Sequence, residues 1–214
     1  MTKILLVRHG HVEGIEPARF RGRAELPLTA RGHAEANAAA RRIASAWHSS
    51  QVYSSPLQRS VKTATAIAHA CNCPAVVLDS LTDMDYGQWQ LLSHVQARQE
   101  DPRLYDSWLS RPHLVRFPKG ESLQDLVLRA ADALRFALKR HPDETIVLVG
   151  HDSVNRAMLL QLLDQPLSAY WRITQDPCCI NEVDVDLETI SCRRINDTAH
   201  LDNPKSSPDK GGLS

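Results

Sequence analysis

Three short aliphatic runs, at residues 4–7, 75–78 and 145–149, read as strands, the first of them a buried strand of a parallel sheet. Val52-Tyr53-Ser54 reads as a fourth strand. Between these runs the apolar residues recur at helical spacing. Ala36, Ala40, Ile43, Ala44 and Trp47 make one stripe; Leu57, Val61, Ala64, Ile67 and Ala68 make a second. Leu123, Leu126, Val127, Ala130, Leu134 and Leu138 make a third, and residues 154–163 are apolar nearly all round, as a buried helix is. Thr29 and Ser122 stand where N-caps belong. Ser55-Pro56-Leu57-Gln58 predicts a helix opened by a capping box, with proline at its first position. Residues 180–195 alternate instead, predicting two edge strands around a Glu188-Thr189 turn, the first of which, near 180–187, could pair with another chain or could equally be covered.

Strands alternating with helices predict an α/β fold with a mostly parallel central sheet and an edge hairpin. Residues 90–118 break the pattern by mixing Tyr105 and Trp108 with arginines and three prolines. They read as a small helical insertion lying over the site. No internal repeat or long linker interrupts the chain, so residues 1–201 are expected to form a single domain. Residues 202–214 lack apolar partners and read as a disordered tail.

Composition narrows the function by exclusion. The 214 residues carry 25 lysines plus arginines and 25 aspartates plus glutamates. No global charge therefore draws the chain to nucleic acid or to a membrane, and any anion site must be local. The N-terminus lacks a signal-peptide pattern and no stretch is long and apolar enough to span a bilayer. Five cysteines without a regular framework suit a reducing cytoplasm. Cys71-x-Cys73 and Cys178-Cys179 lack paired zinc spacing and read as buried thiols. Oligomeric state is left open, a homodimer included.

The first strand stops abruptly at Arg8-His9-Gly10, and the run at 145–149 stops at Gly150-His151-Asp152. Polar groups at the carboxyl ends of strands in an α/β sheet belong at the mouth of a site. Gly10 is expected to allow a sharp turn and close approach of a ligand to the backbone. Arg59 lies near a helix entrance, where free N–H groups attract anions. Two guanidinium groups can hold a phosphate by bidentate hydrogen bonds. A neutral imidazole can attack phosphorus and become phosphohistidine, while a second, protonated imidazole stabilises the equatorial oxygens. Arg8, His9, Arg59 and His151 could supply these parts without a cofactor. Arg19, Arg21 and Arg23 form a basic loop able to meet a second anionic group or simply to be solvated. Trp89 and Trp108 read as packing residues, and Arg156 as a helix-face residue.

At this point the chain resembles the histidine phosphatases, the phosphoglycerate-mutase-like superfamily. Arg8-His9-Gly10 resembles the nucleophile motif, and Pro27-Leu28-Thr29-Ala30-Arg31-Gly32 is similar to a Pro-Leu-Thr-x-x-Gly segment. The run from Ser54-Ser55-Pro56-Leu57 through Arg59 to Thr63-Ala64 resembles the block that supplies the second arginine. Gly120-Glu121-Ser122 and Gly150-His151 fall in family order. The resemblance implies a three-layer α/β/α sandwich, His9 as phosphoryl acceptor, and Arg8, Arg59 and His151 around the phosphate. It implies Asp83 as proton donor, where the family usually carries a glutamate, with Asp85 as the alternative. His11, Arg21, Asp152 and Ser153 are the candidate substrate contacts.

His11, Ile15 and Gln90-Leu91 depart from the pattern of glycolytic mutases. The segment 196–201 looks like the end of α-ribazole phosphatase-like enzymes. The expectation is a metal-independent phosphomonoesterase for a small phosphorylated metabolite. A mutase, a metal hydrolase built on His9, His11, His151 and Asp152, and a non-catalytic binding module remain open.

Overall fold

The structure is a computed structural model and describes residues 1–186 and 188–201. The expected disorder of 202–214 lies outside the described residues. These residues fold around one six-stranded sheet in the order β3-β2-β4-β1-β5-β6. Strand β1 (Thr2–Arg8) pairs in parallel with β4 (Thr145–Gly150), which pairs in parallel with β2 (Ser49–Ser54), and β2 with β3 (Ala75–Val77). Helices α1 (Ala30–Ala46) and α2 (Gln58–Cys71) cover one face, where Leu5, Val7, Val52, Val147 and Val149 meet Ile43 and Ile67. Helices α5 (Leu123–Arg140) and α6 (Asp152–Leu162) cover the other, against Ile4, Leu6, Ile146 and Leu148. Alternate residues of the central strands thus enter opposite cores, which is why the runs of β1 and β4 are aliphatic throughout, whereas β3 at the sheet's edge is exposed.

Residues 90–118 form helices α3 (His94–Glu100) and α4 (Pro102–Ser110), each opened by a side-chain cap, Ser93 and Asp101. Their aromatic residues pack with Phe20, Trp89 and Phe117 beside the sheet's carboxyl edge.

Three local expectations are corrected. Helix α2 begins at Gln58 with Leu57 as an N-cap that has no side-chain bond. Ser55 makes no reciprocal box: its hydroxyl accepts from the Leu57 N–H at 3.3 Å and is also bonded to His151. Second, β5 (Ile180–Val185) is an interior strand, antiparallel to β1 on one side and to β6 (Ile190–Asp197) on the other. Its alternating acids are buried by ion pairs: Glu182 and Asp184 share Lys3, and Arg194 and Arg193 close their outer sides. Third, the need for glycine at position 10 comes from packing. A Cβ there would lie 2.4 Å from the Gly32 carbonyl, and one on Gly32 would lie 2.1 Å from the His11 carbonyl. The two motifs are glycine-containing because the loop after β1 lies directly on the first turn of α1. The five thiols are free, as expected; Cys178 and Cys179 are buried, whereas Cys71, Cys73 and Cys192 are only half-buried.

Candidate active site

Three neighbouring strands end at one place. Arg8 pairs in register with Gly150, so the next residues, His9 and His151, stand side by side with ring centroids 5.0 Å apart. Strand β2, on the far side of β4, runs through Ser54 and Ser55 into α2 and delivers Arg59 beneath both rings. His151 and Arg59 are wholly buried and His9 is 1% exposed.

The hydrogen bonds define the tautomers. The Gly10 carbonyl accepts from His9 Nδ1 at 2.7 Å, which leaves Nε2 with its lone pair. The single N–H on Arg59 Nε lies 3.3 Å from His9 Nε2 and 3.2 Å from His151 Nδ1, and both nitrogens accept from it. His151 Nε2 then donates to the Ser55 hydroxyl at 2.8 Å. Burial, followed by the charges of Arg59, His151 and Arg8, holds the pKa of His9 well below the ordinary imidazole value. Burial and the charges of Arg59 and Arg8 do the same for His151. The expected protonated second imidazole is therefore corrected for this state: two neutral rings share one guanidinium. The reason is electrostatic, since a third positive charge in this buried space would face Arg59 and Arg8.

The rest of the Arg59 fork donates to the Ala24 carbonyl at 2.7 Å, to the Gly22 carbonyl at 2.6 Å and to Asp83 Oδ2 at 3.3 Å. Arg8 donates to the Gln175 carbonyl, and its Nε has no acceptor. Asp83 Oδ1 accepts from the Met84 N–H and the Ser153 hydroxyl, so Oδ2 is the oxygen turned to the guanidinium and the imidazoles. Asp85 points elsewhere: it accepts from the Gly87 N–H and pairs with Arg23. Behind this loop, Arg129 donates to the carbonyls of Ser80, Thr82 and Asp83 and is bridged to Glu121, fixing the segment that carries Asp83. Chemically, the arrangement offers a lone pair flanked by guanidinium donors, with a carboxylate on the far side.

Outside this group lies a cavity of about 340 Å³. Arg8, Arg21, Asp83, Asp152, Ser153 and Arg156 supply its polar wall, and Phe20, Tyr86, Trp108 and Trp171 much of its apolar wall. His94 and Trp108 bring the helical insertion to its rim. The structure does not bring His11 to this wall. Its ring bonds the Thr29 hydroxyl at 3.0 Å, because Gly10 carries the chain away from the cavity and onto the N-cap of α1. Ser153 lines the cavity, but its hydroxyl is committed to Asp83. His11 is thus not gathered with His9, His151 and Asp152. Among the described residues no group of three or more His, Cys, Asp and Glu side chains is placed to hold a metal ion.

Sequence reasoning missed Ser55, Gln175 and above all Arg156. Arg156 is 9% exposed, lines the cavity and is covered by Tyr170 and Trp171, whose ring centroids lie 5.2 and 4.9 Å from its guanidinium carbon. A signal was present: an arginine amid the apolar residues 157–160 and 162–163 of a helix apolar nearly all round has little solvated face to occupy.

Comparison with known proteins agrees with this geometry. The sequence profile of the Histidine phosphatase superfamily (branch 1) matches residues 4–198. Phosphoserine phosphatase 1 of Hydrogenobacter thermophilus is 32% identical over 201 residues, 94% of this chain and 95% of that protein. The Metal-independent phosphoserine phosphatase of Arabidopsis thaliana is 34% identical over 164 residues, 76% of this chain and 69% of that one. Among solved structures, Bacillus stearothermophilus YhfR superposes with a TM-score of 0.87 at 27% identity, covering 94% of this chain and 99% of that chain.

Proposed function

This chain belongs to the histidine phosphatase superfamily, branch 1, and from that premise we propose that it is a metal-independent phosphomonoesterase acting on a small phosphorylated metabolite through a phosphohistidine at His9. The observation that carries the reading is the His9 tautomer: Nδ1 is tied to the Gly10 carbonyl, so Nε2 is an unprotonated nucleophile facing Arg59. A bound phosphoryl group takes the Nε N–H that Arg59 now shares between the rings, and Arg8 adds its free Nε. His9 Nε2 attacks phosphorus as the bond to the leaving oxygen breaks, and Asp83, which takes a proton from solvent as the phosphate dianion binds beside it, passes that proton to the leaving oxygen. Water then attacks the phosphohistidine, gives its proton to Asp83 and releases phosphate with His9 restored. Ser55 holds His151 in the neutral tautomer that lines the pocket. Most of the catalysis is positioning and charge stabilisation, since the transition state for phosphoryl transfer is loose.

Two relatives carry the name phosphoserine phosphatase, and the cavity lies at the small end of ligand-pocket volumes. Both support a metabolite over a phosphoprotein. The near-neutral charge balance supports neither nucleic acid nor a membrane surface as partner. Among the described residues no helix is long and apolar enough to cross a membrane, and five free thiols favour a cytoplasmic location.

The test is to quench the enzyme during turnover of a labelled substrate in excess chelator. The expected result is acid-labile phosphate on the protein, absent from His9→Ala, with turnover undiminished by the chelator. Label that persists in His9→Ala, or activity lost to the chelator, overturns the mechanism.

A further inference from the structure

The wall of the cavity outside the phosphoryl pocket carries buried polar atoms that the protein itself leaves without hydrogen bonds. Asp152 and Arg156 lie one turn apart on α6, with Asp152 Oδ1 3.1 Å from Arg156 Nε. That distance makes an ion pair, but the N–H is not aimed at the oxygen. Asp152 Oδ1, Arg156 Nε and Arg156 Nη1 are all buried without a hydrogen-bond partner. Arg21 lines the same cavity; one of its nitrogens bonds the Gly14 carbonyl, and its Nε is likewise unpartnered. Buried polar atoms are partnered in the great majority of cases, and leaving one unmade costs its full desolvation. Four such atoms on these three residues, around one cavity, point to a ligand that completes them.

The arrangement says which kind. Arg156 is pinned by Tyr170 and Trp171, so it cannot turn away to solvent to be satisfied there. The two guanidinium groups call for an anionic, planar acceptor such as a carboxylate. Asp152 calls for a donor and repels a second anion that has no cation of its own. A hydroxy-acid leaving group answers only the arginines, and an amino-alcohol answers only the aspartate. An α-amino acid answers both.

We propose that Asp152 and Arg156, with Arg21, form a subsite that reads the zwitterionic leaving group of a phosphorylated amino acid. Asp152 accepts hydrogen bonds from the α-ammonium, while Arg156 and Arg21 donate to the α-carboxylate. The phosphoryl end enters between Arg8 and Arg59. This assignment rests on the phosphomonoesterase reading above and adds to it the residues that choose the substrate.

The experiment measures kcat/KM for O-phosphoserine, 3-phosphoglycerate, phosphoethanolamine and nitrophenyl phosphate in the wild type, Asp152→Asn and Arg156→Lys. In the wild type, phosphoserine is expected to exceed both phosphoglycerate, which lacks the ammonium, and phosphoethanolamine, which lacks the carboxylate, by about tenfold or more. Asp152→Asn should lower the phosphoserine-to-phosphoglycerate ratio by about tenfold. Arg156→Lys should lower the phosphoserine-to-phosphoethanolamine ratio by a similar factor, chiefly through KM. Equal kcat/KM for the three alkyl phosphates in the wild type overturns the subsite without recourse to any variant. So does an Asp152→Asn enzyme that loses phosphoserine and phosphoglycerate turnover in the same proportion. Absence of nitrophenyl phosphate turnover in the wild type is a different failure, that of the phosphomonoesterase reading itself.

Discussion

The inner pocket and the outer cavity of this protein share a wall and are built in opposite ways. In the inner pocket the Arg59 fork donates to two carbonyls, a carboxylate and two imidazoles, and both rings have their remaining nitrogen bonded. In the outer cavity Asp152, Arg156 and Arg21 each keep a buried polar atom without a hydrogen-bond partner. The network of Arg59 and the two imidazoles, with only Arg8 Nε left open beside it, holds these groups in one geometry before any ligand arrives, as phosphoryl transfer requires. The unsaturated wall stores unmet hydrogen-bonding capacity that only the right leaving group can use, which is what discrimination requires.

The comparison breaks most severely at Arg59. Arg59→Ala removes the donor common to both histidines and to the phosphate, and is expected to cost about 10²- to 10³-fold in kcat/KM, with kcat and KM both affected. Steady-state kinetics beside a thermal melt would separate this from unfolding; unchanged kinetics would remove Arg59 from the phosphate pocket. Asp83 sits on the shared wall, and its effect should depend on the leaving group. Asp83→Asn is expected to slow alkyl phosphates about a hundredfold and nitrophenyl phosphate far less, because nitrophenolate departs without a proton. Equal losses on both substrates would make Asp83 a positioning residue.

The smallest effect is on stability. His9 and His151 are buried and neutral in the folded protein, with pKa values well below the ordinary one near 6.5. Below that pH the unfolded chain binds protons that the folded one refuses, so stability is full above about pH 6.5 and falls as pH drops. Each ring contributes a slope of at most about 1.4 kcal/mol per pH unit in that window. Between pH 7 and 5 the melting temperature of the wild type should therefore fall more steeply than that of His151→Gln. Parallel profiles would show that His151 is not held neutral by its surroundings.

Part of this was legible from local patterns. The aliphatic runs are strands, Thr29 and Ser122 do cap helices, and the glycine and histidine motifs fall at strand ends. Ser55 was legible only as a residue of the helix entrance, where its hydroxyl does accept from the Leu57 N–H; its second partner, His151, arrives from a distant strand end. Strand β5 was read as an edge because its acids alternate as a solvated face would, whereas Lys3, Arg193 and Arg194 neutralise them within the sheet. Arg156 was passed over as a helix-face residue because no face of α6 was known to be covered by Tyr170 and Trp171.

The sequence by itself determined which residues could do chemistry and where each local element begins, because periodicity, capping and strand-end motifs act over a few residues. The tertiary structure alone decided that β1 lies beside β4, so that two histidines 142 positions apart become neighbours 5.0 Å between ring centres. It also decided which polar atoms are satisfied and which are left open, since burial and hydrogen-bond partners belong to the packed chain rather than to any segment of it. Local motifs could name candidates on both sides, but that the phosphate-facing histidines and arginines adjoin the wall of Asp152, Arg156 and Arg21 is decided only in their assembly.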